Sequence, residues 1–482
     1  MRLDELRNEL PEVPDLVHTR ILDEVDKQLQ ENQRVSIFEN KKRSWNLSRM
    51  AAAAAACVLA VSTVAYAGTR FYHMYLEQQG KYSVATGIEG NEESETIQLP
   101  KEVHDLEIKA GYIPDGMEWN DEYKLSYADT PYQGGISISS VLMDKNDLGA
   151  AMVDTGVIES EERNFGNYEG VYLRYLDLNE DTSFNQRIYM LCPEEYRVFT
   201  IYVGDDVSKE DAVKFAENLV ITEKEEMLET EGLYTWSDLV NPEEAGEDSA
   251  DVTAVADTKL PVHQIGDTVT LKASGEDKDG NFITDGKITA KVDSVQITDD
   301  LKLMEGKEIP EEWKAAVGSD GRLVKNNLSY VKSGDGVETL DQVVKEESVN
   351  QKLVYAKVTY TNDTDEEINH MLYMGSIMLM KHEDGKYQVY NAEEESGDGY
   401  DYVIGDGAAH AGEMTYCSVK EDYGNGGNYI TSLKPGESME VEMAWIVNEN
   451  NLKDMYLNLN GYGGTYSIED SDLETGVVYI GE

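Results

Sequence analysis

The pattern of apolar and charged positions divides the chain at one stretch, Met50–Gly68. Its 19 residues carry no charge, and as an α-helix they would extend roughly 28 Å, close to the ~30 Å hydrocarbon thickness of a bilayer. We therefore predict a single transmembrane helix over residues 50–69. The triplet Ala65-Tyr66-Ala67 has the small-x-small form of a signal-peptidase site, so cleavage after Ala67 stays open, although the 49 preceding residues favour an uncleaved anchor.

A second apolar pattern precedes that stretch, in residues 1–49. Apolar residues recur every three or four positions between Pro14 and Gln33, with charged residues on the other faces, which predicts an amphipathic helix. A segment of this length is too short to build its own core. Its apolar face should therefore bind a partner protein, a second copy of itself or the inner membrane surface. The predicted partner-binding residues are Val13, Leu16, Val17, Ile21, Val25 and Leu29.

After the predicted span, the pattern changes to strand-like alternation. Residues 70–105 are polar and acidic and are predicted to form a stalk. Residues 106–224 are predicted to form an α+β domain, an antiparallel sheet with a terminal helix that starts at Ser208 and covers one sheet face. The strand candidates are Gly135–Leu142, Tyr168–Leu176, Arg187–Leu191 and Arg197–Val203.

The remaining residues form a predicted linker and a second domain. Residues 225–260 are acidic and poor in large apolar side chains, which is typical of a tether, and the patch Tyr234-Thr235-Trp236 within them is predicted to dock on a neighbouring domain. Residues 261–482 are predicted to be mostly β, with one long insertion. The strand candidates are Thr268–Lys272, Lys287–Ile297, Leu353–Thr361, Leu372–His382, Ser438–Val447 and Met455–Asn460.

Charge predicts the orientation of the chain. The net charge is −54, and almost all of it lies after residue 49. The basic residues Lys41, Lys42, Arg43 and Arg49 stand before the predicted span, which by the positive-inside rule places the N-terminus in the cytoplasm and the C-terminal bulk outside the cell. The predicted location is the cell membrane, crossed once. Nucleic acid is excluded as a partner because the acidic bulk would repel phosphates.

Three short motifs in residues 106–224 carry a family resemblance. They are Tyr112-Ile113-Pro114-Asp115-Gly116, Asn167-Tyr168-Glu169-Gly170-Val171 and Ser208-Lys209-Glu210-Asp211-Ala212. This pattern resembles an uncharacterised extracytoplasmic domain of Gram-positive bacterial membrane proteins that are similar to anti-sigma factors. The resemblance implies a transmembrane regulator that binds an unknown extracellular ligand and holds a cytoplasmic sigma factor through residues 1–49. The alternative is a surface-displayed, non-catalytic binding or structural module anchored by an N-terminal helix.

The C-terminal domain carries a second, shorter resemblance. A predicted strand ends in Tyr360-Thr361-Asn362, and a later Pro435-Gly436 turn leads into another strand. Both features are similar to those of immunoglobulin-like bacterial surface domains. The resemblance implies a β-sandwich and no particular ligand.

No catalytic or metal-binding motif is present in the sequence. It lacks HExxH, GxSxG, paired CxxC and Walker motifs, so we expect neither an enzyme nor a cofactor. Asp277–Asn281 begins like a calcium loop, but Phe282 and Ile288 stand where an EF-hand needs Gly and Glu, so a hairpin turn is predicted. Residues 1–49 contain one histidine, His18, and no cysteine. The zinc-binding segments of many anti-sigma factors, in contrast, carry a cluster of histidine and cysteine residues. The pairing of Cys192 and Cys417 stays open.

Overall fold

The computed structural model describes ten ranges of the chain: 72–90, 99–128, 130, 133–178, 183–241, 252–394, 396–397, 399–423, 427–461 and 464–482. The predicted transmembrane helix over residues 50–69 and the predicted amphipathic segment lie outside them. Within these ranges, every helix is too short or too polar to span a bilayer.

The predicted fold class is wrong. The sequence predicts a single transmembrane helix, an α+β domain and an immunoglobulin-like sandwich, whereas the described residues form a β-rich, multi-sheet fold with 52% strand and 11% helix. The expected terminal helix of the α+β domain has only nine residues. Strands also occupy residues on both sides of that domain, where the acidic composition had predicted irregular chain.

The first β-rich region runs from residue 72 to residue 241. Short 3-10 helices lie at Lys145–Asp147 and Pro193–Glu195. Its strands and helices are β1 (Tyr72–Gly80), β2 (Ser83–Gly90), β3 (Glu102–Ala110), β4 (Met117–Trp119), β5 (Lys124–Tyr127), β6 (Ile136–Leu142), β7 (Ala151–Asp154), β8 (Val157–Phe165), β9 (Tyr168–Tyr175), β10 (Gln186–Cys192), β11 (Arg197–Val203), α1 (Lys209–Glu217), β12 (Leu219–Glu229) and α2 (Trp236–Val240).

A seven-stranded antiparallel sheet forms the centre of this region, in the order β4-β5-β6-β11-β10-β9-β8. Because side chains alternate along a strand, Phe199 and Ile201 of β11 enter the core on one face and Val198 enters the core on the other. Helix α1 and the two-stranded β3–β12 ribbon cover the first face. The three-stranded sheet β1-β2-β7 and α2 cover the second face. The region therefore has three layers and two cores.

Helix α1 begins where the sequence predicts. The hydroxyl of Ser208 accepts a hydrogen bond from the Asp211 backbone N–H at 3.0 Å, which caps the helix N-terminus. Ala212, Phe215 and Ala216 are buried against the sheet. The chain then enters β12, which pairs antiparallel with β3.

The residues expected to form a stalk and a linker contain further core elements. Residues 70–105 include β1 and β2, whose Tyr72 and Ile88 are buried. Residues 225–260 include the end of β12 and α2, whose Trp236 is fully buried. β1 and β2 pair with each other, whereas the pairing of β2 with β7 and of β12 with β3 joins segments that are distant in sequence. Local composition therefore predicts irregular chain.

The second β-rich region begins at residue 254. Short 3-10 helices lie at Lys302–Met304 and Glu449–Asp454. Its strands and helices are β13 (Ala254–Ala256), β14 (Val262–His263), β15 (Thr268–Glu276), β16 (Phe282–Thr298), α3 (Glu311–Ala315), β17 (Asn326–Lys332), β18 (Gln342–Val349), β19 (Gln351–Asn362), β20 (Ile368–Leu372), β21 (Ser376–Glu383), β22 (Lys386–Val389), β23 (Tyr402–Gly405), β24 (Tyr416–Cys417), β25 (Tyr429–Leu433), β26 (Ser438–Asn448), β27 (Met455–Asn458), α4 (Asp470–Thr475) and β28 (Val477–Tyr479).

Two sheets of this second region enclose a shared core. One has the order β24-β26-β19-β16-β15-β20-β25, and the other β13-β22-β21-β27-β28-β14. Val358 and Trp445 from the first sheet pack with Ile377 and Leu457 from the second. This β-rich arrangement is compatible with an immunoglobulin-like domain. A third sheet, β18-β17-β23, combines two strands of the insertion between β16 and β19 with a strand that follows β22.

A loop of the insertion contacts the first region. Residues 333–341, which we call the contact loop, connect β17 and β18. The Tyr82 N–H donates to the Val337 carbonyl oxygen at 2.7 Å, and the Gly156 N–H donates to the Gly336 carbonyl oxygen at 2.8 Å. The Asp335 carboxylate accepts hydrogen bonds from the N–H groups of residues 337, 338 and 339, which stabilises the loop conformation.

Candidate ligand-binding cavity

An open cavity of about 550 Å³ lies at the end of the central sheet in the first region. Strands β6 and β11 form its floor. The β3–β12 ribbon forms one wall, and residues 233–239 form the opposite wall. Tyr123, from the connection between β4 and β5, contributes to the rim.

The lining of this cavity is mostly apolar. Two tyrosines at the rim are exposed, Tyr123 to 46% and Tyr234 to 76%. Small-molecule sites are typically clefts of about 300–1,000 Å³ with apolar and aromatic walls and a few polar groups, so the cavity has the size and composition of a ligand site. The apolar wall residues are Leu106, Ile108, Phe199, Leu228, Leu233 and Leu239.

A β-bulge shapes the ribbon wall. The pairing of β12 with β3 shifts register between Glu223 and Met227, and a bulge bends its strand and re-aims the side chains that follow. Lys224, inside the bulge, places its Nζ 2.8 Å from the Asp105 carboxylate. Leu228, the second residue after the register shift, lines the cavity.

The opposite wall is held by α2. The Leu142 N–H donates to the Tyr234 carbonyl oxygen at 2.9 Å. Trp236 donates from Nε1 to the Ala150 carbonyl oxygen at 3.0 Å and packs edge-on against Tyr189, with ring centroids 5.6 Å apart. These contacts anchor α2 in the core on the second sheet face, so the wall has a fixed position.

Arg197 is a buried cation in the cavity lining. It is the first residue of β11 and lies on the same face as Phe199. The residue is 5% exposed, and its buried Nη1 atom has no hydrogen-bond partner within the described ranges. Burial lowers the pKa of the guanidinium, and the nearby Asp105 acts in the opposite direction. Because a guanidinium stays protonated in proteins, the cavity contains a positive charge.

The two carboxylates of the lining are engaged with other groups. Asp105 bonds to Lys224 and accepts from the Leu106 N–H at 2.8 Å, and the Lys224 contact lowers the pKa of Asp105. Asp238 accepts from the N–H and the hydroxyl of Thr235, each at 2.8 Å, in the N-terminal cap of α2. Neither carboxylate forms a direct ion pair with Arg197. The cavity can therefore bind an apolar group and neutralise an anionic one.

A second buried polar cluster has a structural role. Tyr175 donates to an Asp154 carboxylate oxygen at 2.7 Å, and Arg187 donates to the same oxygen at 3.3 Å. The Tyr189 hydroxyl reaches the other Asp154 oxygen at 3.4 Å. These contacts tie the end of β7 to β9 and β10.

The described residues contain no group of three or more His, Cys, Asp or Glu side chains arranged to hold a metal ion. Asp277 forms the predicted hairpin turn, where its carboxylate accepts from the N–H groups of Asp279 and Asn281. Cys192 and Cys417 are both buried, free thiols. Burial raises the pKa of Cys192, which makes it a poor nucleophile.

The predicted partner-binding residues and the cavity belong to different parts of the chain. Val13, Leu16, Val17, Ile21, Val25 and Leu29 lie outside the described residues. The cavity was missed from the sequence. Its one available signal is Arg197, a charged residue at an inward position of the otherwise apolar β11 alternation.

No curated protein and no solved structure matches the chain. A family-model match covers part of the first region. It begins within β3, includes Arg197 and ends at the first residue of β12, before Leu228 and α2. Residues 107–219 are thus similar to the family described as Domain of unknown function (DUF4367).

Proposed function

We propose that the first β-rich region is a non-catalytic binding module that takes a ligand with an apolar body into its cavity. The observation that carries the proposal is the open apolar cavity of about 550 Å³ with exposed tyrosines at its rim. Burial of apolar ligand surface is favourable by roughly 25 cal/mol per Å². The fixed walls reduce the ordering that binding requires, which increases affinity.

Filling the cavity tests this proposal. Ser140 is an exposed residue of β6 that lines the cavity. We expect Ser140→Phe to reduce the affinity for N-phenyl-1-naphthylamine, a neutral apolar fluorescent probe, by about tenfold or more. The measurement is a fluorescence titration of the full chain.

Ser139→Phe is the matched control. Ser139 is the adjacent exposed residue of the same strand, and its side chain points to the opposite sheet face. The control should bind the probe as the wild type does. Equal affinity of Ser140→Phe and wild type, or no binding to the wild type, would refute the proposal.

We further propose that this module senses the ligand for a regulator that resembles anti-sigma factors. In this proposal, residues 1–49 hold a cytoplasmic sigma factor through the apolar positions between Val13 and Leu29. The support is the amphipathic sequence pattern, since such a segment cannot bury its apolar positions alone.

Co-purification with the full chain tests the regulator proposal. The wild type should retain a sigma factor, identified by mass spectrometry, and the double variant Ile21→Asp/Val25→Asp should lose it. Lys27→Asp adds negative charge among the polar positions and should retain it. If the double variant retains the same partner, the surface-displayed binding module becomes the better proposal.

A further inference from the structure

We propose that Arg197 makes the cavity selective for an apolar monocarboxylate, such as a medium-chain fatty acid. This inference rests on the proposed binding function and adds the chemical class of the ligand. It comes from one observation that an apolar ligand alone does not account for: a charged side chain, 5% exposed, whose Nη1 has no partner within the described ranges.

A buried guanidinium nitrogen without a hydrogen-bond partner is costly. A buried charge is normally paired or hydrogen-bonded, because its lost hydration must be replaced. Asp105 and Asp238 line the same cavity as Arg197, but each of these carboxylates is bonded to other groups. An anionic ligand would supply the missing partner. The unsatisfied Nη1 therefore favours an anion at this position, and binding must displace the groups that cover this atom.

The geometry and the local charge favour a monocarboxylate among anions. The planar guanidinium fork matches the two oxygens of a carboxylate. One cation balances one negative charge. A phosphate monoester would bring a second negative charge close to Asp105 and Asp238, and the protein as a whole carries −54. Repulsion from these charges disfavours the dianion.

The rest of the cavity determines the body of the ligand. The apolar side chains that line the cavity with Arg197 include Leu106, Phe199, Leu228 and Leu239. These groups offer contact area but no further cation. A ligand with one carboxylate and an unbranched or aromatic apolar body matches this lining.

Calorimetric titration of the full chain with decanoate, decanol and decyl phosphate tests the inference. The wild type should bind decanoate about tenfold or more tightly than decanol, because a charge-assisted hydrogen bond is stronger than a neutral one. Arg197→Met, which replaces the guanidinium with an apolar side chain, should reduce decanoate affinity to the level of decanol.

Ser140→Asp provides a second variant in case Arg197→Met fails to fold. It places a carboxylate at an exposed position of the cavity floor, two residues from the Arg197 partner Leu142 on β6. The new carboxylate should pair with Arg197 and weaken decanoate binding selectively. Ser139→Asp, on the opposite sheet face, should leave both affinities unchanged.

The outcomes separate the two proposals. Binding of decanol without a preference for decanoate would overturn the role of Arg197 and leave the binding function intact. A preference that survives both Arg197→Met and Ser140→Asp would also overturn it. Tighter binding of decyl phosphate than of decanoate would overturn the proposed selectivity for a carboxylate and indicate a phosphate ligand instead. No binding of any of the three would count against the binding function itself.

Discussion

At β1, the imidazole of His73 forms an ion pair that links a peripheral sheet to the central one. Its Nδ1 lies 2.7 Å from a carboxylate oxygen of Glu169 on β9. The hydrogen bond to Glu169 raises the pKa of His73 above its usual value, although burial opposes the shift. A raised folded-state pKa means that the pair stabilises the protein below the unfolded-state pKa of about 6.5, and that this stability is lost as the pH rises through the folded-state pKa.

We therefore predict that His73→Gln lowers the melting temperature near pH 5.5 and has little effect near pH 8.5. The effect should be small, because the His73 side chain is half exposed and surface pairs contribute little. Thermal unfolding followed by circular dichroism at the two pH values measures it. His263→Gln is the control, since His263 bonds to the Thr475 carbonyl oxygen rather than to a carboxylate. Equal pH dependence of the two variants would contradict the prediction.

The role of Arg197 was beyond prediction at the residue scale. The alternation of β11 correctly predicts which residues share a face with Phe199. It does not show which distant segments cover that face, and the cavity exists because β12 and residues 233–239 pass over it. An inward arginine at a strand end gives the same sequence pattern whether or not its guanidinium has a hydrogen-bond partner.

At the scale of elements, α2 depends on tertiary contacts. Five residues are too few for a stable isolated helix. The reciprocal cap between Thr235 and Asp238 and the burial of Trp236 hold it in place. Since residues 233–239 also form a cavity wall, the stability of α2 and the shape of the cavity are connected.

We predict that Trp236→Ala destabilises the protein by about 3–5 kcal/mol, because it removes a fully buried aromatic side chain and its hydrogen bond to Ala150. Urea unfolding measures the change, and binding of N-phenyl-1-naphthylamine should weaken in the same variant. Phe282→Ala is the control. Phe282 is 70% exposed, so the free energy of unfolding should change by no more than about 0.5 kcal/mol. Similar losses in both variants would show that Trp236 does not anchor the wall.

The strands that the sequence predicts well are those with strong local alternation. β11 has the predicted bounds Arg197–Val203, and β6 differs from its prediction by one residue. In contrast, β12 continues to Glu229 through Lys224, Glu225 and Glu226, where the charge density predicts a linker. A ribbon with a solvated outer face tolerates such charged residues. The pairing of β12 with β3 is not predicted by any local sequence pattern.

At the scale of the whole molecule, the contact loop joins the two β-rich regions. Three backbone N–H groups lower the pKa of Asp335 to about 2. The depressed pKa means that this carboxylate stabilises the loop above the unfolded-state pKa of about 3.9 and loses that effect as the pH falls through the folded-state value. The loop should thus keep its conformation at neutral pH.

Asp335→Ala should release the contact between the regions. We predict that hydrogen exchange of the Tyr82 and Gly156 amides, which donate to this loop, accelerates by about tenfold in the variant. Native-state exchange followed by NMR measures the rates. Asp320→Ala removes a carboxylate that accepts from the Arg322 N–H in another loop and should leave both rates unchanged. Unchanged rates in Asp335→Ala would show that the contact does not depend on this carboxylate.

The whole-molecule arrangement was the least predictable from sequence. The predicted location in the cell membrane and the predicted sigma-factor partner stay predictions, because residues 1–71 lie outside the described ranges. The docking of the contact loop depends on carbonyl oxygens of residues 336 and 337 and on N–H groups more than 150 positions earlier. Every residue has a backbone carbonyl oxygen, and all except proline have an N–H group. A side-chain pattern therefore does not predict such a contact.

The position of the cavity walls has a consequence for engineering. Arg197 and the sheet floor lie within residues 107–219, whereas Leu228, Leu233 and Leu239 follow that segment. The proposed anion-binding group and the part of the wall formed by Leu228, Leu233 and Leu239 are therefore encoded by separate, consecutive stretches of chain. Exchange of residues 228–234 alone should therefore change the preferred chain length of the ligand. Trp236 would still anchor α2, and Arg197 would stay in position.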